Sequence, residues 1–358
     1  MIDLRRPSPF VELAAVEAWD AWFRWREQTD LRDFSIEDTW RRVSAALASV
    51  EPPGEIPMWQ TRFMDALASW RLLPDERLLA VAGTGRITWG DGVLHAALNA
   101  AAFVSTDYAA ASIDLAALSD CAALAVRVLD NAALLAALPA PRLRIGILGI
   151  ADALALLGLA YDSDAGRAQM SSTARALAEG CLRGSIMLAM ARGACDHGLR
   201  VSIKRAELRG APTNLLGDAA RHGLRHAQLT AITSQPRLAL LANDVADAVD
   251  PLRGVNHTHV ITAADGPRTV RSSGYALSTL RACGREPNGV PDTLAMLPWI
   301  AQIEMRAALQ PWMDEPITYP LLATNDLNDS RRLQARKRAM EHGLGEPVWR
   351  NPLEPCPL

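Results

Sequence analysis

Two short loops carry residue types that can bind a phosphate group. One is "GTGR", residues 83–86, and the other is "TSQPRL", residues 233–238. Glycine lets a ligand approach the backbone closely, while hydroxyl, amide and guanidinium groups donate hydrogen bonds to an anion. The predicted phosphate- or nucleotide-binding candidates are Gly83, Thr84, Gly85, Ser234, Gln235 and Arg237. Either loop could equally be a plain connection between two elements.

A third stretch, "LRIGILGIADALALLGLAYDS" (143–163), has glycines where an apolar segment passes into a helix. The N-terminus of a helix can bind an anion through its free N–H groups. However, Gly146 and Gly149 form only a G-x-x-G pattern, and the helix that follows is too apolar for the protein surface. We interpret the stretch as a tight turn into a core helix, with glycines that allow close backbone packing. Asp152 is expected to cap the helix or to pair locally.

The histidines form three loose groups that could hold a metal ion. The groups are His222 with His226, His257 with His259, and Cys195 with His197. None has a third ligand at a recognisable spacing, so no metal site is predicted. The sequence also contains no G-x-S-x-G elbow and no cysteine within a recognisable catalytic motif, so no catalytic residue is predicted.

Charge and cysteine usage narrow the class of protein. A formal net charge of −3 over 358 residues gives no basic field that would attract nucleic acid. Five scattered cysteines without a C-x-x-C pair fit a reduced cytoplasmic protein. No secretory signal is recognised, and no apolar run approaches the roughly 18 residues of a membrane span. We expect a cytoplasmic protein that binds neither nucleic acid nor a membrane.

The elements that must position these residues are mostly helices. The sequence is 49% hydrophobic but only 5% aromatic, so alanine and leucine supply much of the apolar content and favour helix. Helices are predicted over 10–29, 36–50, 93–104, 113–138 and 163–194. Strands are predicted at 226–233, 257–263 and 316–324. The predicted fold class is therefore α/β and predominantly helical.

Several segments, in order along the chain, resemble the large catalytic subunit of ribonucleotide reductase, most closely its adenosylcobalamin-dependent type. The stretch 143–163 matches the family's "IGLGVMGLADALAKLGIPYDS" almost position by position. The other similar segments are 38–51, 63–86, 95–105, 124–132, 225–252 and 305–321.

The resemblance implies a ten-stranded barrel that reduces ribonucleotides with a thiyl radical on a finger-loop cysteine in an N-x-C-x-E motif. No N-x-C-x-E occurs in this sequence, and "GTGRITWGDG" passes almost directly into "VLHAALN", where the family has further strands and the finger loop. Val93 stands where the family has a second cysteine, and residues 234–237 replace its phosphate-binding "PTGT". Pro320 lies in a predicted strand and indicates an edge position or lost pairing.

We therefore expect a shortened, degenerate member of this family. The predicted parts are an N-terminal helical region (1–77), a reductase-barrel-like core (78–325) and a C-terminal tail (326–358). The core is expected to be a truncated remnant of the barrel with a small incomplete sheet.

The leading functional prediction is a non-reductive protein that acts by binding a nucleotide, a cobalamin or a partner protein. A second copy of the chain counts among the possible partner proteins. The alternative is a reductase-type enzyme that is completed in trans by another chain or reworked for a different reaction. Adenosylcobalamin is suggested as a cofactor by the resemblance alone.

Overall fold

The computed structural model describes residues 9–28, 30–85, 92–105, 111–139, 141–195, 198–254, 257–285, 297–318, 320–324 and 327–350. Helices form about half of the chain and the strands form small sheets, which confirms a mixed α/β fold. Within these described ranges the strands do not close into a barrel. None of the helices there is long and apolar enough to cross a membrane.

The bounds of the elements are as follows. The helices are α1 (Leu13–Trp22), α2 (Ile36–Ala48), α3 (Ile56–Ala68), α4 (Glu76–Val81), α5 (Leu115–Leu135), α6 (Ile150–Leu157), α7 (Asp164–Arg192), α8 (Leu199–Leu208), α9 (Thr213–His222), α10 (Pro236–Leu241), α11 (Tyr275–Ala282), α12 (Ala301–Leu309) and α13 (Asp329–Glu341). The strands are β1 (Arg26–Glu27), β2 (Asp30–Leu31), β3 (Leu72–Pro74), β4 (Val93–Asn99), β5 (Val104–Ser105), β6 (Ser112–Ile113), β7 (Arg142–Leu148), β8 (His257–Ala263), β9 (Gly266–Ser272), β10 (Leu321–Leu322) and β11 (Trp349–Arg350).

A three-stranded sheet in the order β3-β4-β7 lies at the centre of the fold. β4 and β7 are parallel, whereas β3 runs antiparallel to β4. The segment that follows His226 continues the sheet beside β7 through a single bridge between Ile145 and Thr230. Its two hydrogen bonds run from Ile145 N to Leu229 O (2.9 Å) and from Ala231 N to Ile145 O (3.2 Å). The strand predicted over 226–233 is thus reduced to one bridge within an extended segment.

The prediction of a helix over 93–104 is wrong for Val93–Asn99, which forms strand β4, whereas Ala100–Phe103 forms a short 3-10 helix. Alanine favours helix when local preference decides, but β4 is a central strand, and six of its seven residues are buried. Small alanine side chains let β3, β7 and α5 pack closely around it, so tertiary packing overrides propensity. The prediction for 113–138 is confirmed by α5, which spans most of that range.

The pair α5 and α7 forms the largest helix contact of the structure. The stretch 163–194, predicted as one long helix or a close pair, is the single helix α7. Gly184 faces the backbone of Ala123, where an added Cβ would lie 2.7 Å from the carbonyl oxygen. Gly180 meets the backbone at Ser119 in the same way. The absence of side chains at these two positions lets the helix axes approach.

The N-terminal helices share the main core with the sheet. Val43 of α2 and Phe63 of α3 belong to the same buried cluster as Leu94 of β4 and Leu129 of α5. Helix α2 begins with a capping box, in which the Asp38 carboxylate accepts the backbone N–H of Ser35 (2.9 Å). The division of the chain after residues 77 and 325 stays a prediction.

Two other elements differ from their predictions. The helix predicted over 10–29 ends at Trp22 and is followed by the short β1–β2 hairpin. Among the described residues of 316–324, the strand is β10, which pairs in parallel with β11. Proline at 316 and 320 removes two backbone donors, so a longer ladder cannot form there. The predicted strand 257–263 is confirmed by β8, which pairs with β9 along its whole length. Residues 351–358, including Cys356, lie outside the described ranges.

Candidate functional site

The turn between β7 and α6 is built for close packing. Gly149 has φ of 67°, and an added Cβ there would lie 2.6 Å from Asn99 Oδ1. Its N–H already donates to Ala246 O (2.9 Å). A Cβ on Gly146 would lie 2.6 Å from Ala231 O. The interpretation of this stretch as a tight turn into a core helix is confirmed.

Asp152, on the first turn of α6, connects distant parts of the chain. Its carboxylate accepts the backbone N–H groups of Ala246 (2.6 Å) and Ala276 (3.1 Å). The side chain is fully buried, and this burial raises the pKa of Asp152 to about 6. The prediction of a purely local role for Asp152 is therefore wrong.

A cleft of about 650 Å³ opens on one face of the central sheet. His95 of β4 and Arg144 of β7 are register partners, so their side chains share that face. The start of α4 and residues 233–237 complete the walls; we call the latter the 233–237 loop, although its last two residues begin α10. We call this the sheet-face cleft. Its walls combine hydroxyl, amide, imidazole and guanidinium groups, which are the donors that an anionic ligand requires.

A buried carboxylate holds the 233–237 loop in place. Asp247 accepts the Ser234 hydroxyl at 2.5 Å and the Gln235 backbone N–H at 2.7 Å. Burial, followed by the nearby negative charge of Asp250, raises the pKa of Asp247 to about 6. The Gln235 amide Nε2 donates to Thr233 Oγ1 (3.1 Å). Hydroxyl and amide groups are therefore already ordered at the cleft wall.

The arginines of the cleft differ in how strongly carboxylates hold them. Arg77 pairs with Asp75 at 2.7 Å, and Arg144 pairs with Glu315 at 2.8 Å. Arg237 has a weaker partner, because Glu76 Oε2 lies 3.9 Å from its Nη1. Its guanidinium carbon lies 5.2 Å from the centre of the Trp22 ring, and its side chain is 41% exposed. Arg237 is therefore the cleft cation that is best placed to bind an incoming anion.

The two groups of predicted phosphate-binding residues lie at opposite ends of α4. Ser234, Gln235 and Arg237 border the sheet-face cleft near the first residues of this helix. Gly83, Thr84 and Gly85 follow its last turn. The Thr84 hydroxyl donates to Val81 O (2.8 Å). Phosphate binding by either group stays a prediction.

The surroundings of Gly83 are already filled by an arginine. An added Cβ would lie 2.7 Å from Arg42 Cγ. The guanidinium of Arg42 pairs with the buried carboxylate of Asp33 at 2.8 Å and donates to Ala82 O. The glycine therefore makes room for a structural ion pair.

Sequence reasoning missed three polar residues of the cleft region, namely His95, Arg144 and Asp247. His95 stands in a stretch that was interpreted as a helix, so its strand face could not be assigned. Arg144 has a signal, since it is a charged residue inside an apolar strand. Asp247 is separated from the loop by helix α10, and only the fold brings it there.

A second cleft, of about 780 Å³, lies where β7 begins, beside α8. Its buried carboxylate, Asp130, is already surrounded by partners. His226 Nε2 lies 2.8 Å from Asp130 Oδ1, and Asp130 also pairs with Arg192 and Arg225. This network holds the pKa of Asp130 well below its usual range, against the opposing effect of burial. The sheet-face cleft is therefore the better candidate for a ligand.

The three histidine groups have different outcomes. Helix α9 ends at His222, so His222 and His226 do not share a helix face. His197 lies outside the described residues. His257 and His259 share one face of β8, as predicted, and both approach Asp244.

Two of the cysteines are buried between α5 and α7. Burial raises the pKa of Cys121 to about 12 and raises that of Cys181 well above its usual range. Among the described residues, no cysteine lines the sheet-face cleft.

Comparison with known proteins shows that the part of the chain that forms most of the cleft matches a family model. The sequence model described as "Ribonucleotide reductase, barrel domain" matches residues 95–344, which include most of β4, all of β7 and the 233–237 loop. No curated protein sequence matches the chain. The similar segments 38–51 and 63–86 both lie before the matched range, so their resemblance to the family stays a prediction. Since the match covers well over half of its length, the chain belongs to the ribonucleotide reductase barrel-domain family.

Proposed function

We propose that this chain is a non-reductive member of the family, which binds a phosphorylated nucleoside in the sheet-face cleft. The observation that carries this proposal is the arrangement of the 233–237 loop. Asp247 orders its hydroxyl and amide groups, and Arg237 beside them has only a 3.9 Å contact with Glu76. A phosphate can form charge-assisted hydrogen bonds with this arginine without disrupting a close ion pair.

The cleft wall carries three arginines, of which Arg77 and Arg144 are held by close carboxylate partners, so Arg237 is the positive charge that an anion can reach. The acidic groups are partly neutralised, since Asp75 holds Arg77 in a bidentate pair. Where the family has "PTGT", this chain has "SQPR" at residues 234–237. The loop therefore lacks the family's glycine and carries a positive charge, Arg237. Phosphate recognition would accordingly depend more on the Arg237 side chain and less on backbone N–H groups.

The absence of an N-x-C-x-E motif supports a non-reductive role. Abstraction of a ribose hydrogen requires a thiyl radical next to the substrate, and the buried Cys121 and Cys181 are packed between helices. Val93, at the predicted position of a reducing cysteine, is a buried apolar residue of β4. A degenerate, shortened barrel that retains a binding cleft accounts for both features.

The adenosylcobalamin-dependent type is proposed on sequence resemblance alone, and cobalamin is the second ligand to be tested. The phosphorylated nucleoside is favoured because Arg237, which has no close carboxylate partner, stands at the cleft wall beside a loop that Asp247 holds in place. A partner protein, or a second copy of the chain, is the third class of ligand.

Isothermal titration calorimetry with the purified chain tests the proposal. Nucleoside di- and triphosphates are titrated beside the unphosphorylated nucleosides and a cobalamin. We expect binding heat with the phosphorylated ligands and at least tenfold weaker binding of the nucleosides, since a charge-assisted hydrogen bond contributes about 1.5–3 kcal/mol. Equal affinity for nucleoside and nucleotide, or no heat with any nucleotide, would refute phosphate recognition.

The alternative of an enzyme completed in trans has its own test. The chain is isolated from its native source, and the proteins that co-purify with it are searched for one that supplies an N-x-C-x-E finger loop. The mixture is then assayed for deoxyribonucleotide formation with adenosylcobalamin and a dithiol. We expect no product from the chain alone or from the mixture. Product from the mixture would replace the non-reductive proposal by trans completion.

A further inference from the structure

Three metal-ligand side chains converge behind the sheet-face cleft, at the start of the β8–β9 hairpin. His257 Nε2 lies 2.7 Å from Asp244 Oδ2, and His259 Nε2 lies 3.0 Å from Asp244 Oδ1. The three ligand atoms all lie within 4.8 Å of one another. We propose that Asp244, His257 and His259 bind one divalent transition-metal ion.

The backbone explains how the three residues meet. His257 and His259 are two positions apart on β8, so their side chains point to the same face of the strand. Asp244 follows α10 and has φ of 59°, a left-handed conformation that aspartate tolerates better than most residues. The preceding Asn243 is also left-handed, with φ of 66°. These two residues turn the chain so that the carboxylate faces β8.

His259 supplies an independent indication that a ligand is bound here. The residue is only 6% exposed, and its Nε2 makes no hydrogen bond with any described residue. The 3.0 Å separation from Asp244 Oδ1 is short, but its geometry is not that of a hydrogen bond. A buried polar nitrogen whose one close contact lacks hydrogen-bond geometry is costly, and a metal ion between the ring and the carboxylate would satisfy it.

The surroundings of His257 also fit metal binding. Its Nδ1 lies 3.4 Å from the carbonyl oxygen of Gly254, which leaves Nε2 directed to Asp244. Metal-binding histidines commonly direct their second ring nitrogen to a backbone carbonyl, and this contact fixes the ring orientation. The two imidazole rings are nearly perpendicular, with centres 5.0 Å apart, so both Nε2 atoms can approach one ion.

Two imidazoles and one carboxylate define the class of ion. This donor set suits Zn²⁺ and other divalent transition metals, whereas Mg²⁺ and Ca²⁺ prefer oxygen ligands throughout. Three protein ligands leave at least one coordination position open. An adjoining cavity of about 40 Å³ has room for a water molecule there. Asp247 and Asp250 also line this cavity, so that water would lie among carboxylates.

The loop that contains Asp244 also contains Asp247, which orders Ser234 and Gln235 at the sheet-face cleft. A bound ion would therefore tie β8 to the loop that supports the cleft. Metal binding itself requires none of the cleft residues, so it can be measured whether or not a nucleotide binds.

The test uses the tag-free, full-length chain after removal of metal with a chelator. The protein is dialysed against Zn²⁺ and then against metal-free buffer at neutral pH, and its zinc content is measured by atomic absorption. We expect one equivalent in the wild type. The variants His257→Gln and His259→Gln should bind at least tenfold more weakly, since even outer-shell changes reduce metal affinity 10–100-fold.

His226→Gln is the matched control. His226 is also 6% exposed and lies 2.8 Å from a buried aspartate, Asp130, but no second histidine among the described residues approaches that carboxylate. This variant should retain the full equivalent of zinc. Equal zinc content in all the variants would place the ion elsewhere and overturn the proposal.

Substitution with Co²⁺ gives a result that does not depend on whether the variants fold. The wild type should take up one equivalent and show the visible absorption of a four- or five-coordinate ion without a thiolate charge-transfer band. Failure of the wild type to retain a stoichiometric ion would show that the cluster is an Asp–His–His ion pair only. A thiolate band would assign the ion to a cysteine, and either result would overturn the proposal.

Discussion

Replacement of Gly146 by alanine should destabilise the protein by about 1–3 kcal/mol, as overpacking of a filled position typically does. The added Cβ would lie 2.6 Å from Ala231 O, so the two backbones must separate by at least 0.4 Å to reach 3.0 Å, the lower limit of real Cβ contacts. That movement stretches the two hydrogen bonds of the bridge beside β7, which measure 2.9 and 3.2 Å. Each contributes about 1 kcal/mol, and the conformational gain of 0.5–1 kcal/mol from alanine offsets only part of the loss.

Gly217→Ala is the matched control, because Gly217 lies in α9 and an added Cβ there meets nothing within 4 Å. The same chemical change should stabilise the protein by about 0.5–1 kcal/mol at this position. Urea unfolding measures both variants, with the m-value as a check that the cooperative unit is unchanged. The Gly146 variant should also bind a nucleotide more weakly, since residue 231 leads directly into the 233–237 loop.

Stability of Gly146→Ala equal to or above that of the wild type would refute this reasoning. It would mean that the segment beside β7 moves away from Gly146 without loss of stability, and that the bridge at Thr230 does not position the 233–237 loop.

Three further predictions concern the packing and the buried groups. Gly180→Ala should also destabilise by about 1–3 kcal/mol in urea unfolding, because its Cβ meets the backbone of α5; a gain like that of Gly217→Ala would contradict the close approach of α5 and α7. Asp152→Asn should alter the pH dependence of stability. Burial raises the pKa of Asp152 to about 6, so its stabilising contribution is full below about pH 4 and is lost as pH rises through 6, by about 3 kcal/mol. Urea unfolding at pH 4.5 and 7 should show that the free energy of unfolding of Asp152→Asn rises relative to that of the wild type as pH rises. A stability difference between the two proteins that does not change with pH would show that the carboxyl is not buried. Cys121 and Cys181 should resist an aromatic disulfide reagent in the native protein and react only after unfolding. Rapid labelling of either of these two thiols in the native protein would contradict their burial between α5 and α7.

The stretch 143–163 could be predicted well because local chemistry decides its structure. Gly149 has a positive φ, which favours glycine, and the apolar residues before and after it fill a buried strand and a buried helix. The same holds for β8, where buried and exposed residues alternate strictly over His259–Thr262. In both cases the pattern of the sequence and the final environment agree.

Strand β4 could not be predicted from its alanines. Alanine and leucine, four of the seven residues from Val93 to Asn99, favour helix, and the position of the segment between β3 and β7 is what makes it a strand. This error also affected the candidate site. His95 was predicted on a helix, so its neighbour on the adjacent strand, Arg144, was not predicted to share a face with it.

The remaining errors concern partners that are distant in the sequence. Asp152 binds backbone groups at 246 and 276, and Asp247 binds a loop beyond α10. The missing third residue beside His257 and His259 is Asp244, which lies on a turn before the strand and is brought there by left-handed backbone at two consecutive residues. Spacing within one element predicts pairs of residues, whereas these groups depend on loops whose course follows from packing.

The affinity of a nucleoside diphosphate for the wild type, Arg237→Ala and Arg183→Ala tests the central claim most directly. The two arginines are similarly exposed, at 41% and 40%, but Arg183 lies on α7 and pairs with Asp120. Loss of one charge-assisted hydrogen bond at a partly exposed site should weaken binding about tenfold in Arg237→Ala. Arg183→Ala should bind as the wild type does. Identical dissociation constants for all three proteins would show that the ligand does not bind at the sheet-face cleft.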